Sequence, residues 1–331
     1  MTHIIAEVGV NHQGSTNLAK KMIYEASKAG CDFIKFQFFK ANNLATKYAK
    51  KAKYQTANTK GNSQYEMLKK LEIKSKNLRM LKKFANKNKI KFLCSGFDIE
   101  DLKEIKKIGI KILKIPSGEI DNVNYLRFAG SNFKEIILST GMATVEEIDQ
   151  AIKILCKSGL KKKNLTILHC RSSYPTELKD LNLNSIIYLR NKFNCSTGFS
   201  DHSEGVQASV LATCLGAKII EKHFTLNKKM KGPDHKASLN ITELKLLVKK
   251  IRDTEDFLGG KYKKVTKDEI KNKIFVRKMI VAKKNILKGE KFTEKNICCK
   301  RPLLGIPASK WDMVINKKSK KNFKIDEPIK L

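Results

Sequence analysis

The sequence is poor in proline and glycine and contains no long apolar run. Its 331 residues include six prolines and 18 glycines, which excludes collagen-like and low-complexity chains. No apolar stretch approaches the about 18–20 residues that span a bilayer, so a membrane protein is excluded. Met1-Thr2-His3 is not the basic start of a signal peptide, and it is followed by Ile4-Ile5-Ala6-Glu7, whose acid argues against a signal peptide, so we expect a cytoplasmic protein.

Cysteine pairs and nucleotide-binding motifs are also missing. None of the eight cysteines stands in a C-x-x-C motif, and only Cys298 and Cys299 are adjacent. In a cytoplasmic protein they are therefore expected to be free thiols and not a disulfide framework. The chain has no G-x-G-x-x-G motif and no P-loop, which argues against a doubly wound nucleotide-binding sheet.

Acidic residues are few beside the basic ones. The chain has 68 lysines and arginines against 32 acids, a formal charge of +36, but only seven of the basic residues are arginine. Arginine is the preferred ligand of phosphates and guanines, and no zinc-finger or RNA-binding motif accompanies the lysines. We therefore expect no nucleic-acid partner. The charge can instead draw anionic substrates towards a cleft. A basic nucleic-acid-binding protein is the alternative, and a salt-titrated gel shift would reveal it.

Short β-rich runs alternate with amphipathic helical segments along the first 258 residues. One helical face carries Leu18, Met22 and Ile23, and a capping box at Thr144–Glu147 begins another helix. Eight strands with intervening helices predict an α/β fold, a (β/α)8 TIM barrel over residues 1–258. A doubly wound sheet is the structural alternative. The segment 61–90 is long enough for an inserted loop or an extra helix. The eight runs are Ile4–Val10, Phe33–Phe39, Lys91–Phe97, Lys111–Pro116, Glu135–Thr140, Leu165–Cys170, Ser196–Asp201 and Lys218–Phe224.

The pattern changes after residue 258. Residues 259–274 are polar and lysine-rich and are predicted to be a linker. Residues 275–331 form short strands and turns, and Lys283–Glu290 resembles Lys320–Glu327. We expect a small pseudo-symmetric β-rich domain that is too short to be stable alone and therefore leans on a barrel.

Charged residues stand near the carboxyl ends of several predicted strands, where TIM-barrel enzymes have their active sites. Because side chains two apart share a face of a strand, Lys35 and Gln37 point together, as do Glu221 and His223. A buried charge is costly unless it is paired or used. Structural salt bridges of Lys35 or Lys114 with Glu7 or Glu221 are one interpretation. The placement of several such residues together favours a site.

Lysines and serines at these strand ends suit an anion with phosphate or carboxylate groups. Lysine supplies charge and serine hydroxyls supply donors. For any single serine, a turn or a helix cap is the alternative interpretation. The candidates are Lys35, Lys114, Ser95, Ser117, Ser139 and Ser200.

Two histidines close adjacent predicted strands. His202 and His223 can therefore share one divalent cation that also takes water or a substrate oxygen. Zinc prefers a third tight protein ligand, so Mn²⁺ or Mg²⁺ is the better prediction. A hydrogen-bonded core histidine is the alternative for each ring.

Seven segments of the predicted barrel, together with the C-terminal part, resemble the N-acetylneuraminate (sialic acid) synthase family. The resemblance covers nearly the whole chain. The C-terminal part resembles the antifreeze-like (SAF) domain of that family, with Lys300-Arg301-Pro302 as its hallmark. No single motif is decisive, but their number and order are specific. The matching barrel segments are Ile5–Gly14, Ile34–Gln37, Lys114–Glu119, Leu138–Met142, Ser200–His202, Glu221–Thr225 and Gly232–Asp234.

The resemblance implies that phosphoenolpyruvate condenses with N-acetylmannosamine and water to give N-acetylneuraminate and phosphate. It implies that His202 and His223 bind Mn²⁺, or Mg²⁺ or Co²⁺. Glu7 occupies the position expected to handle protons or activate water, and Glu119 occupies the second acid position. Phosphoenolpyruvate would contact the six lysines and serines named above. The sugar would contact Gln37, Asn62, Tyr174, Asp234 and Arg301.

In the resembling family the small domain of one subunit caps the barrel of the other, which implies a domain-swapped homodimer with Arg301 reaching the partner's sugar. Two related activities compete with N-acetylneuraminate synthesis. A legionaminate or other nonulosonate synthase would use a different 2-acetamido hexose, and the motifs do not separate it from the first reading. A 3-deoxy-octulosonate phosphate synthase is disfavoured by the C-terminal domain.

Overall fold

The computed structural model describes residues 1–52, 56, 59, 61, 63–301 and 304–331. These residues divide into two compact units, Met1–Gly259 and Gly260–Leu331. Among the residues so described, no helix has both the length and the apolar character needed to cross a membrane.

The first unit is a closed barrel of eight parallel strands, which confirms the predicted (β/α)8 fold. Each strand pairs with the next along the chain, and the last pairs with the first through His3–Glu7 and Ile219–His223. Parallel strands need crossover connections, which the intervening helices supply. The strands are β1 His3–Gly9, β2 Phe33–Phe38, β3 Lys91–Gly96, β4 Ile112–Ile115, β5 Glu135–Ser139, β6 Leu165–Cys170, β7 Ser196–Asp201 and β8 Ile219–His223.

Helices cover the outside of the barrel, and several of them begin at a side-chain cap. Ser15 accepts a hydrogen bond at the start of the first helix, and Thr144 and Glu147 form the predicted capping box. The segment 61–90 holds the extra helix that its length allowed, Gln64–Leu71. The helices are α1 Thr16–Lys28, α2 Ala41–Leu44, α3 Gln64–Leu71, α4 Ser75–Lys87, α5 Ile99–Lys107, α6 Val123–Asn132, α7 Val145–Lys157, α8 Ser185–Phe193, α9 Gln207–Cys214 and α10 Ile241–Leu258.

The interior of the barrel changes from apolar to polar along the strands. A buried cluster fills the end where the strands begin, and its members are Ile5, Phe33, Leu93, Ile137, Leu168 and Ile219. Because side chains alternate along a strand, the residues two positions later also point inward. Those residues are Glu7, Lys35, Ser95, Ser139, Cys170 and Glu221. The polar layer therefore lies at the carboxyl ends of the strands.

Gly198 in β7 is required by the narrowness of this interior. A Cβ built on it would lie 2.5 Å from the carbonyl oxygen of Ile219 and 2.6 Å from Cδ2 of Leu168. The absence of a side chain lets β8 approach closely. Ser200, two residues later, then reaches the polar layer.

The second unit is built around an antiparallel pair, β9 Met279–Ala282 and β10 Ile297–Lys300, with a short helix, α12, at Trp311–Val314. The two similar segments found in the sequence occupy equivalent positions. Ile286 and Phe323 exchange backbone hydrogen bonds in both directions. Both side chains belong to the core, whose members are Ile280, Ala282, Ile286, Phe292, Ile297, Val314, Phe323 and Ile329.

Part of the segment predicted to be a linker, residues 259–274, is helical. Residues Lys267–Val276 form a helix, α11, which starts in that segment and extends into the predicted first strand. Thr266 and Glu269 form a capping box that satisfies its free N–H groups. All of its residues are exposed, so the lysine-rich composition that suggested a linker is that of a solvated helix.

Candidate active site

A cavity of about 340 Å³ opens at the carboxyl ends of the barrel strands. The polar interior layer forms its floor, and the loops after the strands form its rim. Its walls are Glu7, Lys35, Gln37, Leu44, Gln64, Leu68, Phe97, Lys114, Pro116, Ser117, Gly118, Ser139, Met142, Cys170, Ser172, Tyr174, Ser200, His202, Glu221 and His223.

Two carboxylates and two ammonium groups meet on the floor. Lys35 Nζ lies 3.0 Å from Glu7 Oε1 and 3.6 Å from Glu221 Oε2, and Lys114 Nζ lies 3.4 Å from Glu221 Oε1. All four side chains are at least 94% buried. The salt bridges considered as an alternative to a site therefore exist, and they line the cavity as well.

The pKa values of the two buried carboxylates, Glu7 and Glu221, shift in opposite directions. Burial raises the pKa of Glu7 to about 7, with only partial compensation from Lys35. Burial would also raise the pKa of Glu221, but Lys114 and Lys35 outweigh it and lower that pKa to about 2. Glu221 thus stays ionised near neutral pH, whereas Glu7 can gain and lose a proton.

The two lysines also differ. Burial lowers the pKa of Lys114 more than Glu221 restores it. Burial opposes the charge of Lys35 as well, but the carboxylates of Glu221 and Glu7 overcome it and raise that pKa. Lys35 is therefore fixed as an ammonium ion between two acids, whereas Lys114 has a single ion-pair partner, Glu221.

His202 and His223 lie side by side at the ends of β7 and β8, with ring centres 5.7 Å apart. Nδ1 of His202 donates to the carbonyl oxygen of Arg171, which leaves Nε2 with its lone pair. Nδ1 of His223 is buried without a hydrogen-bond partner. The Tyr174 ring centre lies 4.1 Å from that of His202 and 6.0 Å from that of His223.

This pair fits a divalent cation. Burial lowers the pKa of His202 to about 4 and, with His202 as neighbour, lowers that of His223 well below its ordinary range. Both rings are therefore neutral at pH 7, the form that binds metals. The orphaned Nδ1 of His223 is a donor atom that a cation would satisfy. Within the described part of the chain no three His, Cys, Asp or Glu side chains are grouped for a metal, and the candidate ligands here are the two histidines.

Serine hydroxyls are attached to this charged floor. Ser139 Oγ accepts from Lys114 Nζ at 2.7 Å, and Ser200 Oγ donates to Glu221 Oε1 at 3.0 Å. Ser95 Oγ accepts from Lys35 Nζ at 3.4 Å. Ser117 Oγ lies 3.4 Å from the sulfur of Cys170.

The loop after β5 approaches Ser117 because residue 141 has no side chain. Gly141 has φ +24°, and a Cβ there would lie 2.5 Å from Ser117 Oγ and 2.7 Å from Ser172 Oγ. Its N–H donates to Cys170 Sγ at 3.0 Å. Three strand-end loops are thereby packed together on one side of the cavity.

Ten of the residues singled out from the sequence lie on the walls of this cavity. Ser95 is not a wall residue, but its hydroxyl contacts Lys35. Glu119 is not a wall residue, since it sits in a 3-10 turn and its carboxylate accepts from Asn122 Nδ2 at 2.8 Å. Asp234 is not among the wall residues either. Arg301 belongs to the second unit, where its side chain is exposed. Asn62 lies outside the described residues.

Sequence reasoning left Glu221 out of the candidate site, although it is the acid that joins both lysines. Its signal was present in the spacing Glu221-Lys222-His223, which puts the acid and the histidine on one face. Cys170 and the apolar wall residues Leu44, Leu68 and Met142 gave no such signal.

A closed (β/α)8 barrel with buried acids, lysines and paired histidines at its catalytic end defines a TIM-barrel enzyme. Residues 22–263 match the NeuB family, and residues 277–331 match the SAF domain. The chain is 48% identical over 330 residues to an N,N'-diacetyllegionaminic acid synthase of Campylobacter jejuni, covering 99% of both chains. It is 39% identical over 323 residues to that of Legionella pneumophila, covering 97% of this chain and 91% of the other.

Among solved structures, the chain is similar to the N-acetylneuraminic acid (sialic acid) synthetase from Leptospira borgpetersenii in complex with citrate. The TM-score is 0.73 at 35% identity, covering 82% of this chain and 90% of the other. The chain belongs to the NeuB family and carries a SAF domain, which confirms the resemblance found in the motifs. It is an enzyme of the nonulosonate synthase class, which joins phosphoenolpyruvate to a sugar. The relatives named for legionaminic acid favour the legionaminate alternative over the N-acetylneuraminate expectation.

Proposed function

We propose that this chain is a nonulosonate synthase of the legionaminate type. It condenses phosphoenolpyruvate with a hexose that carries two acetamido groups, and water supplies the remaining oxygen. Taking the three carbons of phosphoenolpyruvate from an N,N'-diacetylated nine-carbon acid leaves a six-carbon sugar with both acetamido groups. The identity of 48% over 99% of both chains to an N,N'-diacetyllegionaminic acid synthase supports this sugar over N-acetylmannosamine.

The proposal rests on the buried charge arrangement at the cavity floor. Phosphoenolpyruvate carries a carboxylate and a phosphate, and the cavity presents Lys35 and Lys114 together with three serine hydroxyls. Ammonium and hydroxyl groups in a desolvated site bind such oxygens more strongly than in water. We assign the phosphoenolpyruvate site to Lys35, Lys114, Ser95, Ser117, Ser139 and Ser200.

His202 and His223 would hold a divalent cation such as Mn²⁺, with Mg²⁺ or Co²⁺ as alternatives. When bound, the ion supplies a Lewis acid for the aldehyde oxygen of the sugar. Tyr174 packs against the His202 ring and fixes its orientation. The carbonyl oxygen of Arg171 accepts from Nδ1 and fixes the tautomer, as hydrogen-bond acceptors behind metal-binding histidines do.

Glu7 is assigned the proton transfer. Its Oε1 is held by Lys35 at 3.0 Å and by Gln37 Nε2 at 3.3 Å, while its Oε2 is buried without a partner. In the reaction the enol carbon forms a bond with the aldehyde carbon, and the aldehyde oxygen takes up a proton to become a hydroxyl. Water adds to the neighbouring carbon, which bears the phosphate. The bond from that carbon to the phosphate oxygen then breaks, and the hydroxyl left by water loses its proton to give the keto group. A carboxyl group that titrates near neutral pH can take the proton from this water and return it.

The sugar is assigned to the outer part of the cavity. Gln37 and Tyr174 offer polar groups, and an apolar wall offers surface for acetamido methyl groups: Leu44, Leu68, Phe97 and Met142. Asp234 and Asn62 remain proposed sugar contacts. Arg301 would reach the sugar of the partner's barrel in a domain-swapped homodimer.

The test is a substrate panel. The purified chain is mixed with phosphoenolpyruvate, Mn²⁺ and single hexoses, and phosphate release and 2-keto acid formation are followed. We expect kcat/KM for the diacetamido hexose to exceed that for N-acetylmannosamine by at least about tenfold, because the apolar wall loses the contact with the second acetamido group. EDTA should stop turnover and Mn²⁺ should restore it.

His223→Ala is the matched control, because it removes a proposed metal ligand and leaves the phosphoenolpyruvate residues in place. We expect it to be inactive, and added Mn²⁺ should not restore its turnover. A preference for N-acetylmannosamine would return the assignment to N-acetylneuraminate synthesis. Turnover of none of the hexoses would refute the proposal.

A further inference from the structure

A buried ion pair lies on the outer side of the barrel wall, directly behind the two histidines. Asp201 and Lys222 face each other in the register of β7 and β8. Lys222 Nζ lies 2.9 Å from Asp201 Oδ2, and the two side chains are 1% and 0% exposed. Because neighbouring residues on a strand point to opposite faces, this pair points outward where His202 and His223 point inward.

The carboxylate of Asp201 closes a turn around His202. Its Oδ1 accepts from the backbone N–H of Ser203 at 2.8 Å and from the Ser203 hydroxyl at 2.6 Å. An aspartate that bonds the N–H two residues on forms an Asx turn, which restricts the backbone of the residue between. That residue is His202. Ser209 Oγ donates to the other carboxylate oxygen at 2.6 Å.

Lys222 ties this turn to the neighbouring strand. Its ammonium group also donates to the carbonyl oxygen of Ser203 at 2.6 Å. Asp201 and Lys222 form the last pair in the β7–β8 register. Beyond this pair, the strand hydrogen bonds no longer hold the two segments together. The ion pair thus links the turn that carries His202 to the residue before His223.

We infer that Asp201 and Lys222 are positioning residues that hold His202 and His223 at the separation a shared divalent cation needs. The inference rests on the proposed function, since the cation belongs to that proposal. Fold stability is a weaker explanation, because a buried ion pair is often no more stabilising than a well-packed apolar pair. The ion pair instead fixes the distance and orientation between the carboxyl ends of β7 and β8.

The test measures Mn²⁺ binding to the full chain by the electron paramagnetic resonance signal of free Mn²⁺, which does not depend on turnover. Asp201→Ala removes the turn and the ion pair. We expect it to weaken Mn²⁺ binding by about 10–100-fold, as loss of outer-shell partners does at metal sites. Activity should recover at high Mn²⁺, which loss of fold would not allow.

Asp32→Asn is the control. Asp32 pairs with Arg252 at 2.9 Å at the opposite end of the barrel, before β2. Its loss should lower the thermal midpoint but change Mn²⁺ affinity by less than about twofold, since it touches neither strand end. Ser209→Ala is the milder test variant, and we expect about threefold weaker binding from losing one hydroxyl on the carboxylate.

Each result decides the question. Asp201→Ala that folds and keeps wild-type Mn²⁺ affinity would overturn the inference; if it does not fold, unchanged affinity in Ser209→Ala would do so. Wild-type protein that binds no Mn²⁺ would overturn the metal assignment itself. Binding that is lost in His223→Ala but intact in Asp201→Ala refutes only the positioning role.

Discussion

At the scale of single residues, the buried charges are both structural and available to a ligand. Lys35 and Lys114 are neutralised by Glu7 and Glu221, and this pairing makes their burial tolerable. The same groups line the cavity. A structural salt bridge and a binding site are competing interpretations of the sequence. In the structure the same four ion-paired side chains also line the cavity, so both interpretations apply.

Glu7→Gln tests the assignment of proton transfer. The amide keeps the shape of the side chain and can still face Lys35, but it cannot exchange a proton. We expect kcat to fall by about 10²–10⁴-fold, the usual contribution of a positioned general acid or base. The measurement is steady-state phosphate release at saturating substrates.

Glu119→Gln is the matched comparison, because Glu119 is bonded to Asn122 and lies off the cavity wall. We expect a clearly smaller loss than for Glu7→Gln. Equal losses in the two variants would show that Glu119 shares the chemistry.

At the scale of elements, the alternation along each strand decides which residues meet. The apolar layer and the polar layer lie two residues apart on the same strands, so the chemistry of the site depends on the register of the barrel. Gly198 keeps β8 in its place against β7.

Gly198→Ala should therefore lower the free energy of unfolding by about 1–3 kcal/mol, because the added methyl overpacks the interior. Urea denaturation measures it. Gly118→Ala is the control, since a Cβ there meets nothing within 4 Å, and we expect a change within about 0.5 kcal/mol. Equal changes would contradict the packing argument.

Helix α5 carries a pH-dependent group in its first turn. Burial, with the charge of Asp98, raises the pKa of Asp101 to about 7 from an ordinary 3.8. The folded chain keeps a proton that the unfolded chain releases, so this group lowers stability as pH rises from about 4 to about 7. We expect Asp101→Asn to make that slope shallower in urea denaturation, because the remaining slope of the same sign comes from other buried acids such as Glu7.

Glu100→Gln serves as the control in the same turn, because its side chain is 63% exposed, and it should keep the wild-type slope. A wild-type slope in Asp101→Asn would mean that another group carries the pH dependence.

At the scale of the whole molecule, α11 presents apolar side chains to solvent. Ile270, Ile274, Phe275 and Val276 are each more than half exposed, and none of the residues of α11 is buried. Such a surface is typical of an interface between chains. It supports the proposed homodimer.

We expect the wild-type chain to elute as a dimer in size-exclusion chromatography with light scattering. The double variant Ile274→Glu, Phe275→Glu should shift it to monomer, since two charges cannot be desolvated in an apolar interface, and should raise KM for the sugar. Lys273→Glu on the same helix should remain dimeric. A wild-type monomer that is fully active would refute the swapped arrangement.

The order and spacing of residues determined much of this protein without its coordinates. Eight apolar runs separated by amphipathic segments leave few ways to bury both, and the parallel barrel is the one whose size fits. Strand alternation paired Lys35 with Gln37 and Glu221 with His223. The capping boxes at Thr144 and Asn240 formed from local sequence alone because their hydrogen bonds span three residues.

Tertiary structure decided what depends on neighbours from distant parts of the chain. Glu221 became the common partner of two lysines because three strands bring them to one point. Opposite pKa shifts of Glu7 and Glu221 follow from the number of cations each one meets. The turn around His202 joins Lys222 only through the register of β7 and β8. Local patterns specify which face a side chain takes, but charge interactions depend on distances that exist only after the barrel closes.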